Sequence, residues 1–259
     1  MPGKSAKSGS FLSGVISGLS AYFKVPAVLF RYKLWHFQLL PAAISFVVSA
    51  LLFYGFFVAT GKFTGWMDGL IRVPWEWLDT TINWTLAILA FLILIAGFFF
   101  AHKHIILVIL APFLGTIAEE TMKTLKGEDF VKTDIGIGPA IARGAKINLR
   151  YITREIFTNL IFLACGIIPV IGSVISASGM FFTQARFLGY GLMDFPLENR
   201  GLTVDESDDF VRERAGLSVG IGGGYMLIMA IPFVGWMFAP TFGTVAGTIR
   251  AIEELERDE

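Results

Sequence analysis

The chain has 259 residues, 54% of them hydrophobic, and 21 basic against 21 acidic side chains. Charged residues make up 16%, against roughly 25% in an average soluble domain, so the composition excludes an ordinary water-soluble domain. With no net charge, nothing global points to nucleic acid, and no nucleic-acid partner is expected. The chemistry predicts an all-α integral membrane protein, because in lipid a helix satisfies its own backbone polar groups. The one cysteine, Cys165, excludes an intrachain disulfide and a multi-cysteine metal site. No cofactor and no metal centre is expected.

Residues 1–10 are polar, with Lys4 and Lys7, and read as a disordered tail that is retained. Residues 11–259 read as one membrane domain. From Phe11 to Phe23 the apolar residues recur at helical spacing, with Ser13, Gly14, Ser17 and Ser20 mostly opposite. This predicts an amphipathic helix in the membrane interface, ended by Pro26. Arg31 and Lys33 follow beside Trp35 and His36, a basic and aromatic pairing typical of a water boundary.

Leu39 to Val58 carries no charge and is predicted to be the first span. Residues 60–83 form a wetter loop with Trp66, Trp75 and Trp77, followed by Trp84. Trp84 to Ala101 is the second span. His102-Lys103-His104 interrupts it without a helix stop, so one long helix is predicted to reach about Lys126, past the bilayer or strongly tilted.

The second half repeats a design. An apolar arm leads into Ile168-Pro169-Val170-Ile171-Gly172 and a second arm follows; the same order recurs around Ile231-Pro232-Phe233-Val234-Gly235. The arms run about 13 residues or fewer, short for a crossing, and Asn159, Ser173, Ser176, Ser178, Thr241 and Thr244 intrude. Two helical hairpins that enter partway and return are predicted; six full spans is the alternative. The loop between the spans has only Lys62 and Arg72 as basic residues, whereas Lys123, Lys126, Lys132, the residues from Arg143 to Arg154, and Arg186, Arg200, Arg212, Arg214, Arg250 and Arg257 flank the hairpins. By the positive-inside rule both termini are cytoplasmic.

Arg143, Lys146, Arg150 and Arg154 share one helix face. That stripe fits either headgroup anchoring or an anion-collecting surface at a pore mouth. Arg186 lies close to the apolar region, where a charge snorkels or is paired. Helix starts behind each Pro-x-x-Gly break present free N–H groups to an anion. His102 and His104, two apart, do not share a face and do not suggest a metal pair. Gly14/Gly18, Gly216/Gly220/Gly224 and Gly243/Gly247 are each four apart, which suits close helix packing within a bundle or an oligomer. A phosphate loop, H-E-x-x-H and G-x-S-x-G are all missing, and no nucleophile–base pair is visible. Neither an ATP-driven motor nor an enzyme is expected.

Several pieces together resemble the CysZ sulfate permease family, which shares its domain with the etoposide-induced membrane protein family. They are Ala111-Pro112-Phe113-Leu114-Gly115-Thr116-Ile117-Ala118-Glu119 with Leu125-Lys126-Gly127, the Pro169/Gly172 turn, Asp194-Phe195-Pro196 with Asn199, and the Pro232/Gly235 turn with Pro240 and Ala246-Gly247-Thr248. The resemblance implies a bacterial inner-membrane protein with two long spans and two half-inserted hairpins. It also implies a homo-oligomer that passes sulfate to the cytoplasm for cysteine synthesis. Close family members carry Gly-aliphatic-Arg-Arg, linked to sulfate binding, before the first span; here Lys33-Leu34-Trp35-His36 stands there. Arg31, Lys33, the Arg143–Arg154 stripe and Arg186 are the candidate anion-binding residues. A different solute, or a non-transporting role in organising the membrane, remains the alternative.

Overall fold

The computed structural model describes residues 10–67, 76–127, 137–168 and 170–258. Residues 1–9 of the predicted tail, Arg72, Trp75, Lys132 and Pro169 lie outside them. The described residues form the helices α1 (Phe11–Arg31), α2 (Trp35–Met67), α3 (Glu76–Lys126), α4 (Ile137–Cys165), α5 (Ile171–Asn199), α6 (Val204–Glu213), α7 (Ala215–Met229) and α8 (Val234–Asp258). α1, α2 and the second half of α3 are long and apolar enough to cross a membrane.

Two boundaries differ from expectation. Pro26 does not end α1, which continues to Arg31. The loss of one N–H is tolerated because Val25, Val28 and Leu29 are buried on either side of it. The helix stops one turn later. Lys33 takes φ 56, its N–H donates to Phe30 O, and the Leu34 N–H donates to Leu29 O. This is a Schellman stop with a lysine in the left-handed position that glycine normally fills, closed by the buried pair Leu29 and Leu34. The loop between the spans is also shorter than predicted, because α2 runs on to Met67 and α3 begins at Glu76. α3 passes through His102-Lys103-His104 without a break and is about 75 Å long at 1.5 Å per residue.

α4–α5 and α7–α8 are both helix–turn–helix hairpins, and their turns match. The residue after each proline, Val170 or Phe233, has φ near +60°. The glycine two residues further on, Gly172 or Gly235, lies against the carbonyl of Cys165 or Ile228, where any Cβ would overlap it. Only glycine lets the returning arm start that close to the arriving one.

α7 is the centre of the bundle, packed against α1, α5 and α8, with Gly216 to Tyr225 all buried. Glycine spacing explains the enclosure. Gly14 and Gly18 of α1 face Gly216 and Gly220 of α7; a Cβ on Gly18 would sit 2.7 Å from Ile221 N. On the other side, Gly189 of α5 touches Ser218 O, and Gly222 of α7 touches Ala185 O. The small-residue spacings therefore serve packing inside this chain. Tyr22 Oη donates to Ile221 O at 2.5 Å and locks α1 to α7.

Candidate functional site

α2 carries apolar side chains almost everywhere, yet its buried positions are Gln38, Pro41, Ala42, Ser45 and Ser49 among the described residues. Leu39, Leu40, Phe46, Val47, Leu51 and Tyr54 point outward. The helix is inverted relative to a soluble one, which suits a lipid-facing exterior and a polar seam within the protein. Its neighbours across the seam are α3 and α8.

The register is set by contacts at one level. Ser49 Oγ lies 2.7 Å from His102 Nε2, and the His102 and Trp236 rings are 6.1 Å apart. Phe53 against Phe98 and Phe56 against Phe91 make α2 antiparallel to α3. Contacts of Phe98 with Trp236 and of Lys126 with Glu256 make α3 parallel to α8. From the shared level, Ser45 and Gln38 lie about 6 and 16 Å along α2 in one direction, at 1.5 Å per residue. Thr241, Thr244 and Thr248 lie about 8, 12 and 18 Å along α8 in that same direction. Gly243 and Gly247 of α8 abut Leu192 of α5, and Arg250 and Glu253 reach α1. Gly235 and Gly243 also lie against Ile228 and Tyr225 of α7; the threonines fall on the opposite side of α8 from these glycines, Arg250 and Glu253, the side open to α2 and α3.

Gln38 Nε2, Ser45 Oγ, His102 Nδ1, Thr241 Oγ1 and Thr244 Oγ1 are buried without a hydrogen-bond partner among the described residues. Each such atom costs about 1–3 kcal/mol. An interface built only for stability would replace them with apolar groups. Neutral amides and hydroxyls in a seam can exchange hydrogen bonds with water or with a desolvated solute. No carboxylate belongs to the row, so nothing in it repels an anion. A second polar link sits behind it: His104 contacts Asn148 Oδ1 at 2.7 Å and the buried Glu155 at 3.3 Å, tying α4 to α3.

The basic stripe of α4 meets acids that lie far away in sequence. Arg143 Nη2 donates to Asp194 Oδ1 at 2.8 Å and to Ser207 Oγ at 2.9 Å, and its Nη1 donates to Leu202 O at 2.5 Å. Arg150 pairs with Asp205 at 2.7 Å and Arg154 with Asp208 at 2.9 Å. Lys146 is exposed. The stripe thus clamps α4 onto α5 and α6; its arginines already have anionic partners. The capping box of Thr203 and Glu206 starts α6 at the point that places Asp205 and Asp208 against α4. Glu198, in the last turn of α5 beside α6, is 3.9 Å from Arg143 Nε and has one oxygen without a hydrogen-bond donor. Burial and the neighbouring Asp194 charge push its carboxyl up to about 7.

Other predicted residues fall as follows. Arg31 ends α1, exposed, its guanidinium 5.6 Å from the Tyr32 ring centre. Lys33 is exposed in the turn. The Ala111–Glu119 piece and the Asp194–Asn199 piece meet, since Asn199 Nδ2 donates to Gly115 O at 3.2 Å. Within them, Phe113 packs on the core, Pro112 and Pro196 lie inside α3 and α5, and Glu119 pairs with Lys123 at 2.8 Å. Pro240 is buried inside α8, while Pro232 is exposed at its turn. Arg186 is exposed on α5.

The polar row itself was not among the predicted site residues. Its trace in the sequence was the spacing of Gln38, Ser45 and Ser49, seven and four apart, in an otherwise apolar span.

The protein named sulfate transporter CysZ from Pseudomonas fluorescens (strain Pf0-1) is 29% identical over 222 residues, covering 82% of this chain and 82% of that protein. Those of Pseudomonas paraeruginosa and Pseudomonas aeruginosa (strain PAO1), with the same name, are 27% and 26% identical, covering 85% and 89% of this chain and 87% and 92% of theirs. The family described as sulfate transporter CysZ/etoposide-induced protein 2.4 matches residues 21–240. With that match across most of its helices, this chain belongs to the sulfate transporter CysZ/etoposide-induced protein 2.4 family.

Proposed function

We propose that this chain is a permease of the bacterial inner membrane for sulfate or a closely related oxyanion. The observation that carries the reading is the inversion of α2, which buries Gln38, Ser45 and Ser49 and turns its apolar residues outward. The names of its relatives point to the same solute. In this reading α2 and α3 span the bilayer, the two hairpins enter partway from the cytoplasmic side, and both termini are cytoplasmic. The basic residues of α4 and α8 favour that orientation. Arg31 and Lys33 meet the anion at the cytoplasmic mouth, and the row of the Gln38 amide, the hydroxyls and His102 replaces its hydration across the seam. Flux follows a gradient, and the permease works as a homo-oligomer.

The test is uptake of labelled sulfate into proteoliposomes. The expected result is saturable uptake above empty liposomes that falls at least tenfold in Ser45→Val/Thr241→Val and falls less in Arg31→Ala/Lys33→Ala. Wild-type uptake with no loss in the row variant would sink the proposed path. No uptake by folded wild-type protein would sink the sulfate reading.

A further inference from the structure

At the base of the α4–α5 hairpin, Thr153, Arg154, Phe157, Thr158, Arg186 and Phe187 line an open groove of about 340 Å³. Its chemistry changes along its length. Toward the hairpin turn lie Phe157, Leu160 and Ile161 of α4 with Phe181 and Phe182 of α5, all exposed, Phe157 by 66%. A contiguous apolar surface of this kind is stable against hydrocarbon and unstable against water. Away from the turn lie the guanidiniums and, beyond them, the acids of α6.

Charge counting isolates one residue. Arg150 is matched by Asp205 and Arg154 by Asp208. Arg154 commits a single nitrogen, Nη1, to both Asp208 oxygens, and its side chain stays 47% exposed. Arg186 has no ion pair and no side-chain hydrogen bond among the described residues, although its carbonyl accepts from Ser218 Oγ at 2.7 Å. The Thr153 and Thr158 hydroxyls spend their protons on Leu149 O and Arg154 O, each at 2.8 Å. The donors facing the groove are therefore guanidiniums, with one uncompensated positive charge between them. Planar guanidinium forks suit phosphate oxygens.

We propose that this groove is a binding site for the phosphodiester of an anionic phospholipid. Arg186 makes the principal contact and Arg154 the second, while an acyl chain runs along Phe157, Leu160 and Ile161. A free oxyanion could meet the same guanidiniums, but it would make no use of the apolar strip that continues from the groove. One net positive charge also matches a monoanionic phosphodiester. The site is separate from the polar seam of α2, α3 and α8, and it does not depend on what that seam conducts.

The test uses the full chain in a neutral detergent. Its melting temperature is followed against short-chain phosphatidylglycerol, short-chain phosphatidylcholine, inorganic phosphate and sulfate. Phosphatidylglycerol should raise the melting temperature saturably at concentrations at which the other three do not. Arg186→Gln should weaken that response at least tenfold and leave the lipid-free melting temperature in place, because the guanidinium holds nothing else. Phe157→Ala should also weaken it, and Arg257→Gln, near the end of α8 and paired there with Glu254, should not. A photo-activatable phosphatidylglycerol should label α4 and α5 peptides in wild type and lose that labelling in Arg186→Gln, a readout independent of stability. An equal response to phosphate or sulfate alone would overturn the lipid assignment. An unchanged response in Arg186→Gln would overturn the site.

Discussion

The two hairpins share a turn and differ in almost everything else. In α7–α8 the arms are enclosed, and the large apolar side chains that are exposed, Leu227, Ile231, Phe233 and Val234, sit at the tip. In α4–α5 the apolar arms are open from Ile156 to Ile175. The Pro-x-x-Gly turn sets how a chain reverses; the residues between turns set what it reverses into. α7 has glycines where α1 and α5 cross it, so backbones touch and the hairpin becomes the core. α4 presents Phe157, Leu160, Ile161 and Leu163 instead, which keeps neighbours off and leaves a surface for lipid.

That contrast can be broken by substitution. The largest effect is expected for Gly222→Ala, where the new Cβ would overlap the backbone carbonyl of Ala185. Because backbone cannot step aside, destabilisation of about 3 kcal/mol or more is expected, read as loss of monodisperse protein or a fall in the unfolding midpoint. In the open hairpin, the atoms nearest a Cβ on Gly179 belong to the Phe162 ring, so Gly179→Ala should cost about 1 kcal/mol or less, since a ring can turn away. Equal effects would mean that the hairpins are not packed as differently as described.

The clamps on α4 should rank by burial. Asp194→Ala leaves Arg143, whose side chain is 11% exposed, without its bidentate partner, and about 3–5 kcal/mol should be lost. Asp205→Ala breaks the Arg150 pair, whose acid is 79% exposed, and should cost far less by the same unfolding assay.

Glu198 sharpens the comparison through pH. Its folded-state pKa is raised from 4.5 to about 7, so the folded protein binds the proton more tightly than the unfolded chain. The contribution of Glu198 to stability is then fully present below about pH 4.5, is lost as pH rises to about 7, and is absent above it. The wild-type midpoint should fall across that window by on the order of 1–3 kcal/mol, and Glu198→Gln should flatten this part of the profile. An unchanged profile would show that another group titrates.

The smallest effects belong to the turns themselves. Val170→Gly relieves a β-branched residue at positive φ and should stabilise by about 1 kcal/mol. Phe233→Gly should gain less, because its ring lies 5.2 Å from Trp236 and that contact is lost. Parallel unfolding curves of the two variants would measure the difference.

How much of this was legible in the sequence follows from the range of each signal. The matching turns were readable because Pro-x-x-Gly acts within five residues. The small-residue contacts were readable as spacing, although only the structure shows that they join α1 and α5 to α7. The stripe from Arg143 to Arg154 was readable as a stripe, but its acids lie 51 to 55 residues onward, and no local pattern links them. Pro26 misled because proline is a local signal, while the burial that keeps α1 helical past it comes from other helices. The polar row was hidden for a related reason: two serines and a glutamine in a span look incidental until α3 and α8 are seen to cover them.

α3 has a mechanical consequence. A rod of about 75 Å passing through a hydrocarbon layer of about 30 Å leaves much of its length outside the layer. A tilt of about 10° around its midpoint would carry each end sideways by about 7 Å, given a half-length near 38 Å. His102 sits near the middle of this lever and Glu119 to Lys126 at its far end, where Lys126 grips Glu256 of α8. A push on the distal end would therefore arrive at the His102–Ser49 level as a small rotation, so that the helix could act as a crank between the surface of the protein and its buried seam.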